Sequence, residues 1–185
     1  MYTEQQFNLP AMQGLSEKQI SEHLKLYSGY VKNTNELLEK IHTGESSGWD
    51  AYTLNELRRR IGFEWNGMRL HELYFSALGG AGSSPSDTLK DKLGDFGGWL
   101  KRFKAAGMAR GIGWVLLVHD KQAGMLENIW VSDHDIGHLA GTNILIAMDV
   151  WEHAFLLDYL PSQRKDYIEA FFANLNWNMV ESRLT

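Results

Sequence analysis

Cysteine is absent from this sequence, and its absence restricts the chemistry that the chain can perform. Without thiolates the chain has no disulfide, no sulfur ligand and no thiol nucleophile. Any metal ion must therefore be held by imidazole and carboxylate groups.

Positive charge is also scarce. Asp and Glu number 23 against 18 Lys and Arg, which gives a formal net charge of −5. Nucleic-acid binding needs clustered cations that neutralise phosphates, and the run from Arg58 to Arg60 is too short to provide them. The sequence therefore predicts no nucleic-acid partner.

Long apolar runs are missing as well. No stretch approaches the roughly 18 apolar residues needed to span a bilayer, and residues 1–10 lack a basic segment followed by an apolar one. We therefore expect a cytoplasmic protein with no membrane partner. What the sequence does contain is aromatic side chains, with seven Trp, seven Tyr and eight Phe. These predict an aromatic-rich interior or interface.

Two long helices are predicted in the first part of the chain. Ser16 and Gln19 have the spacing of a helix-capping box, and apolar residues follow at helical intervals from Ile20 to Ile41. After a polar, glycine-containing stretch, residues 49–78 again have helical spacing. We expect the two helices to pack antiparallel as a hairpin.

A run of turn-forming residues at 79–86 marks the predicted boundary between an N-terminal helical hairpin domain, residues 1–82, and a C-terminal α/β domain, residues 83–185. In the second domain the patterns predict two short helices, three strands that form a small antiparallel sheet, and a helical tail. The predicted ranges are 87–106 for the helices, 112–119, 125–132 and 143–149 for the strands, and 151–159 and 163–183 for the tail. The expected fold class is α+β.

Histidine supplies the candidate metal ligands. His23 and His71 lie inside the two long helices, which can present both imidazoles to one point. Asp149 ends an aliphatic strand and His153 follows four residues later, so both could bind one ion if they share a helical turn. A single histidine on an apolar face is more often a hydrogen-bonded core residue, so this pattern alone leaves the metal site open.

Residues 149–155 read Asp-Val-Trp-Glu-His-Ala-Phe, which resembles the Asp-x-Trp-Glu-His-Ala-aromatic motif of the iron/manganese superoxide dismutase family. The resemblance covers nearly the whole chain. Its further matches are Leu9 and Pro10, His23 followed by residues 30–35, His71 in a helix ending at Phe75, Gly-x-Gly-Trp at 111–114, residues 164–167, and Asn176 with Trp177.

The resemblance implies a superoxide dismutase with one iron or manganese ion per subunit, held by His23, His71, Asp149 and His153. The substrate is then the superoxide anion, and the assembly a homodimer or homotetramer. The same resemblance gives roles to further residues: Tyr30 as the gateway to the metal and a proton donor, Trp114 and Trp151 as walls of the pocket, and Glu152 as the side chain that crosses the dimer interface to support the partner subunit's His153.

The sequence departs from the family pattern at three points. The interval from His23 to Tyr30 is one residue shorter than usual. Tyr27 stands where many members have a second histidine, and Leu156 stands where its tyrosine partner across the dimer is expected. The glutamine that hydrogen-bonds the metal-bound water is missing, and His134 is its predicted replacement.

Two functional hypotheses follow from these departures. We expect His134 to bias the enzyme toward iron or toward use of both metals, because imidazole differs from an amide in donor strength. Since superoxide is an anion approaching an acidic protein, a local positive patch must attract it. The candidate cations are Lys25, Lys32 and Arg69.

Three alternatives remain open from the residues alone. The family ligands could serve a metal-binding homologue with weak or no dismutase activity. His134 and His138 have the spacing of a short metal-binding motif, as in a metal-dependent phosphohydrolase. Two histidines and one carboxylate would also suit an oxygenase, although a third histidine is present.

Overall fold

The computed structural model describes residues 1–184 and begins with a helical hairpin. Helix α1 spans Glu17–Ser46 and helix α2 spans Ala51–Ser76. The Ser16 side chain accepts from the backbone N–H of Gln19, as the capping pattern predicted. Asp50 caps α2 in the same way, and α1 packs against α2.

The C-terminal part consists of a small sheet with helices around it. Helices α3, Asp87–Leu93, and α4, Phe96–Gly107, precede strands β1, Gly113–Asp120, β2, Met125–Ser132, and β3, Asn143–Asp149. The strand order is β2-β1-β3 and both pairings are antiparallel. The α+β class and the three-stranded sheet are thereby confirmed.

The helical tail differs from its prediction. Most of residues 151–163 form turns and two single-turn 3₁₀ helices, Glu152–Ala154 and Pro161–Gln163. Pro161 holds Leu160 in an extended conformation, which prevents a longer helix there. Helix α5, Arg164–Ala173, and helix α6, Trp177–Ser182, then follow as separate elements.

The interior is rich in aromatic residues, as their number predicted. The largest fully buried side chains include Trp114, Tyr27, Tyr74, Tyr167, Phe75, Phe103, Phe155 and Phe171. One hydrophobic core contains residues of α1 and α2 together with residues of the sheet and α5. The division into domains at residues 82 and 83 stays a prediction.

The sheet places two important residues side by side. Trp114 of β1 is paired with Asp149 of β3, so the last residue of β3 lies beside the second residue of β1. Helix α2 packs against β3. In the described part of the chain, none of the helices combines the length and the apolar character needed to cross a membrane.

Candidate metal centre

Four side chains converge at the junction of α1, α2 and β3. Each of His23, His71, Asp149 and His153 offers one ligand atom, and these atoms all lie within 4.8 Å of one another. The Asp149 Oδ2 atom is 3.1 Å from Nε2 of His23, 3.1 Å from Nε2 of His153 and 3.6 Å from Nε2 of His71. The first three residues are buried, and 21 % of the His153 side chain is exposed.

Asp149 and His153 reach this point by a different route from the one predicted. They do not share a helical turn, because Asp149 ends β3 and His153 lies in a 3₁₀ helix. The Asp149 Oδ1 atom accepts from the backbone N–H of Trp151 at 2.9 Å, which stabilises the turn between them. The Asp149 carboxylate therefore stabilises the turn that places the His153 ring beside its own Oδ2 atom.

Hydrogen bonds to other residues orient three of the four donors. The Nδ1 atom of His71 lies 2.6 Å from the carbonyl oxygen of Gly67, to which it can only donate. The Nε2 atom of His71 therefore carries a lone pair, and it has no hydrogen-bond partner among residues 1–184. Gln19 donates to the carbonyl of His153, and Tyr167 donates to the carbonyl of Asp149.

The ionisation of His23, His71 and Asp149 suits a metal ion. Burial lowers the pKa of His23 and of His71, so both imidazoles are neutral. Burial opposes ionisation of Asp149, but His153, through charge and hydrogen bonding, and His23, through hydrogen bonding, outweigh it and hold the pKa of Asp149 below its usual range. Neutral imidazoles and an ionised carboxylate are the forms that bind metals.

The spacing of the donors also fits one ion. Ligands that lie about 2.1 Å from an ion are separated from each other by roughly 3.0 to 3.6 Å when their bonds make angles between a right angle and a trigonal one. The distances from Oδ2 of Asp149 to Nε2 of the three imidazoles fall in this interval. Together with the unpartnered Nε2 atom of His71, this spacing shows that the residues fit a bound ion.

Beside the donors lies a chain of three hydrogen-bonded side chains. Trp114 Nε1 donates to His134 Nδ1 at 2.9 Å, and His134 Nε2 lies 2.7 Å from the hydroxyl oxygen of Tyr30. Because Nδ1 of His134 accepts, neutral His134 carries its proton on Nε2 and donates it to Tyr30. Burial lowers the pKa of His134 to about 4 and raises that of Tyr30, so both remain neutral.

Aromatic rings surround this arrangement. Trp151 stacks on His134 and on His153, with centroids 5.0 and 5.5 Å apart. The Trp114 ring meets His71 edge to face at 5.1 Å. Both tryptophans thus lie beside the donors, and their role as pocket walls stays a prediction.

Gly67 allows Tyr30 to approach α2. A Cβ atom at residue 67 would lie 2.5 Å from Cδ1 of Tyr30, so the ring occupies the space of a side chain. Tyr30 also stacks on His71, with ring centroids 5.0 Å apart. A glutamine projecting from position 67 is therefore incompatible with this position of the tyrosine.

Tyr27 and Glu152 have different surroundings from the donors. The Tyr27 hydroxyl donates to Glu72 at 3.2 Å and accepts from the backbone N–H of Gln5 at 2.8 Å. Its polar partners therefore lie on α2 and the N-terminal segment, while Leu156 is exposed. Glu152 is exposed on the turn that carries His153.

The HxxxH pair does not form a joint site. Nε2 of His138 donates to the backbone carbonyl of His134, whereas the His134 ring faces Tyr30 and Trp114. Within residues 1–184 the only group of three or more such donors is the one centred on Asp149.

A cavity of about 310 Å³ opens beside Tyr30. Of the three predicted steering cations only Lys25 lines it, while Arg69 pairs with Glu72 and lies over Tyr2. Its lining includes a second cation, Arg60, which the sequence analysis missed. The signal was available, because Arg60 precedes His71 by 11 residues, close to three helical turns, and so shares its face of α2.

Comparisons with known proteins agree with this geometry. Residues 82–183 match the family model of iron/manganese superoxide dismutases, C-terminal domain. The chain is 37 % identical to the superoxide dismutase [Fe] of Cupriavidus metallidurans, over 92 % of this chain and 88 % of the relative. It is also 37 % identical to the superoxide dismutase [Fe] of Aquifex pyrophilus, over 93 % and 85 %, and 35 % identical to superoxide dismutase [Mn] 1 of Halobacterium salinarum, over 82 % and 77 %.

Proposed function

This chain belongs to the iron/manganese superoxide dismutase family and is a superoxide dismutase, and we propose that it works at one iron or manganese ion held by His23, His71, Asp149 and His153. The observation that carries this proposal is the convergence of three imidazole nitrogens on Oδ2 of Asp149. Nitrogen and oxygen donors of this kind suit both metals.

The reaction converts two superoxide ions and two protons into one dioxygen and one hydrogen peroxide. When bound, the ion supplies the one-electron redox couple that accepts an electron from one superoxide and returns it to the next. The protein must supply protons and keep the donors fixed. Asp149 helps to keep the donors fixed. Its Oδ1 atom accepts a hydrogen bond from the Trp151 N–H, while its Oδ2 atom faces the imidazoles.

In this proposal Tyr30 delivers one of the two protons, solvent supplies the other, and Tyr30 is reprotonated from solvent after each turnover. Since His134 donates to the oxygen of Tyr30, the hydroxyl hydrogen of Tyr30 is directed elsewhere and is available to a reduced substrate. Trp114 fixes the tautomer of His134 by donating to its Nδ1 atom. The raised pKa of Tyr30, caused mainly by burial, keeps the phenol protonated until it is used.

His134 is proposed to favour iron, or the use of either metal. A neutral imidazole has one N–H, and His134 uses it on Tyr30, whereas an amide has two. The hydrogen bonding available to a bound water therefore differs from that in glutamine-containing relatives. Reconstitution with each ion followed by an activity assay tests this, and activity with manganese alone would refute it.

Assembly and location are also part of the proposal. The partly exposed His153 and the exposed Glu152 on the same turn suit a homodimer, alone or within a tetramer, in which the partner subunit's Glu152 supports His153. Light scattering on wild type and Glu152→Ala should show a weaker dimer in the variant, and a monomeric wild type would refute the assembly. A cytoplasmic location is proposed with it.

Substitution of a donor tests the site itself. We expect His153→Ala to lose bound metal by elemental analysis and to lose superoxide consumption, because three donors hold an ion much less tightly than four. His42→Ala, at an exposed position of α1, is the control and should keep both. Retention of metal and activity by His153→Ala would refute the ligand assignment.

A further inference from the structure

The cavity beside Tyr30 is an opening lined by residues of α1 and α2, and the Tyr30 ring that lines it stacks on His71 of the donor cluster. It is lined by Lys25, Leu26, Gly29, Tyr30, Asn33, Arg60, Phe63 and Glu64. Two of these residues are cations and one is an anion. The electrostatic effect of these three groups on an approaching anion therefore depends on how much of each group is exposed to solvent.

Arg60 is held rigidly at this opening. Its Nε and Nη2 atoms donate to the same oxygen, Oε1 of Glu64, at 3.0 and 2.7 Å. The other carboxylate oxygen of Glu64 accepts from Asn33 on α1 at 3.2 Å. The guanidinium also lies over the Phe63 ring, 3.8 Å from its centroid. The hydrogen bonds and the ring together fix its position and its plane.

The Arg60–Glu64 pair is asymmetric toward solvent. Half of the Arg60 side chain is exposed, at 50 %, against 8 % for Glu64. The Nη1 atom of Arg60 has no hydrogen-bond partner within residues 1–184, so one edge of the guanidinium remains free to donate. The pair is formally neutral, but an ion entering the cavity meets the exposed guanidinium and not the buried carboxylate.

Lys25 lacks this asymmetry. Its ammonium lies 2.7 Å from Glu22, and both side chains are exposed, at 69 % and 48 %. An exposed pair of this kind is strongly screened and presents both charges to solvent. Of the two cations that line the cavity, Arg60 is thus the one that is exposed while its carboxylate partner is buried.

A continuous set of rings leads from Arg60 to the donors. The Phe63 ring meets His134 edge to face at 4.6 Å and lies 6.2 Å from Tyr30. Tyr30 in turn stacks on His71. An anion released from Arg60 is therefore adjacent to the Tyr30 and His134 pair.

We propose that Arg60 is the anion-guiding residue of this enzyme: its free guanidinium edge attracts superoxide, and other small inorganic anions, to the opening beside Tyr30. The proposal rests on the dismutase function of the site. Glu64, Asn33 and Phe63 act through Arg60 as positioning residues. Because the interaction is a brief encounter, it speeds association and falls with ionic strength.

The test compares Arg60→Gln with Arg59→Gln. Both remove one positive charge from consecutive positions of α2, but Arg59 pairs with Glu56 and does not line the cavity. In the metal-loaded protein, the second-order rate constant for superoxide is measured by pulse radiolysis over a range of salt concentrations. We expect Arg60→Gln to lower it roughly threefold or more at low salt and to flatten its salt dependence, and Arg59→Gln to behave as wild type.

Two further variants separate charge from structure. Arg60→Lys should keep most of the rate and the salt dependence, because it keeps the cation. The double variant Arg60→Gln with Glu64→Gln leaves the net charge unchanged and removes the buried carboxylate, and it should still lose the salt dependence. Wild-type rate and salt slope in Arg60→Gln or in the double variant would overturn the proposal.

A measurement on the metal-free protein is independent of turnover. Small anions that bind transiently broaden the nuclear magnetic resonance line of chloride, and Arg60→Gln should reduce this broadening while Arg59→Gln should not. Equal broadening by wild type and Arg60→Gln would overturn the role of Arg60. If loaded wild type consumes no superoxide, the dismutase function fails instead, and the chloride result still decides whether Arg60 binds anions.

Discussion

At the scale of single residues, the Tyr30 hydroxyl depends on a position without a side chain. The ring fits against α2 because residue 67 is glycine, and the hydroxyl then reaches His134. The position of the Tyr30 hydroxyl therefore depends on both Gly67 and His134. A side chain at position 67 would displace the Tyr30 ring. Loss of His134 would remove the hydrogen bond that holds the Tyr30 hydroxyl.

We predict that Gly67→Ala destabilises the protein and displaces Tyr30. The added Cβ would lie 2.5 Å from the ring, so the ring must move, at a cost of about 1 to 3 kcal/mol that better helix propensity offsets only in part. Urea unfolding measures the change. Gly29→Ala in α1, where a Cβ meets nothing within 4 Å, is the control and should be neutral or slightly stabilising. A Gly67→Ala protein as stable as the control would contradict the prediction.

The residues of the site differ in how far the sequence could predict them. Asp149 and His153 stand in one short sequence motif, and the resemblance, which covers nearly the whole chain, gave all four donors by number. The spacing of Arg60 from His71 indicates their shared face of α2, but the exposure of Arg60 relative to Glu64, on which its proposed role depends, is contained in no linear pattern. That Lys25 and not Arg69 reaches the cavity depends likewise on which face of each helix is covered.

At the scale of elements, the shortened interval in α1 has a simple geometric account. Seven residues are close to two helical turns, so His23 and Tyr30 lie on one face of a helix that is regular α-helix over all 30 residues. An eighth residue would rotate Tyr30 by about 100° and require a bulge to compensate. The shortened interval therefore allows α1 to remain a regular helix while His23 and Tyr30 stay on the same face.

The elements themselves were largely predictable because each has a strong local pattern. Strand β2 has the predicted bounds, and α1 begins at its predicted cap. The tail after β3 was predicted poorly. There the backbone follows side-chain contacts that are distant in sequence, such as the bonds from Gln19 to the carbonyl of His153 and to the N–H of Leu157.

Arg183 connects three elements, and we predict that its removal destabilises the fold. Its guanidinium donates to the carbonyls of Leu145 in β3 and Leu73 in α2 and to the hydroxyl of Ser76. Arg183→Met should lower the free energy of unfolding by about 2 to 4 kcal/mol, because three partly buried acceptors lose a charged donor. Arg102→Met in α4 is an exposed control and should change it little. An unchanged Arg183→Met would show that the three bonds contribute nothing net.

At the scale of the whole molecule, we predict that the metal-free protein loses stability as the pH falls below about 6.5. Burial lowers the pKa values of His23, His71 and His134 in the folded state, so only the unfolded chain takes up their protons in this range. Each contributes up to about 1.4 kcal/mol per pH unit until its folded-state pKa is reached. The stability is complete above pH 6.5 or so.

Thermal unfolding of the metal-free protein between neutral and mildly acidic pH measures this effect. His71→Gln should reduce the slope of stability against pH, because one buried imidazole is removed. The exposed His42 is the control, and His42→Gln should leave the slope unchanged. A wild-type stability that is flat across the range would contradict the prediction.

The distance in sequence between the donors has a consequence for how the protein is made. His23 and Asp149 are 126 residues apart, and His153 comes later still. During synthesis the nascent chain offers an ion only two imidazoles until β3 has left the ribosome, since folding proceeds from the N-terminus. On the proposed ligand set the complete site is assembled late, so we expect the bound ion to be taken from those that surround the chain after β3 has formed.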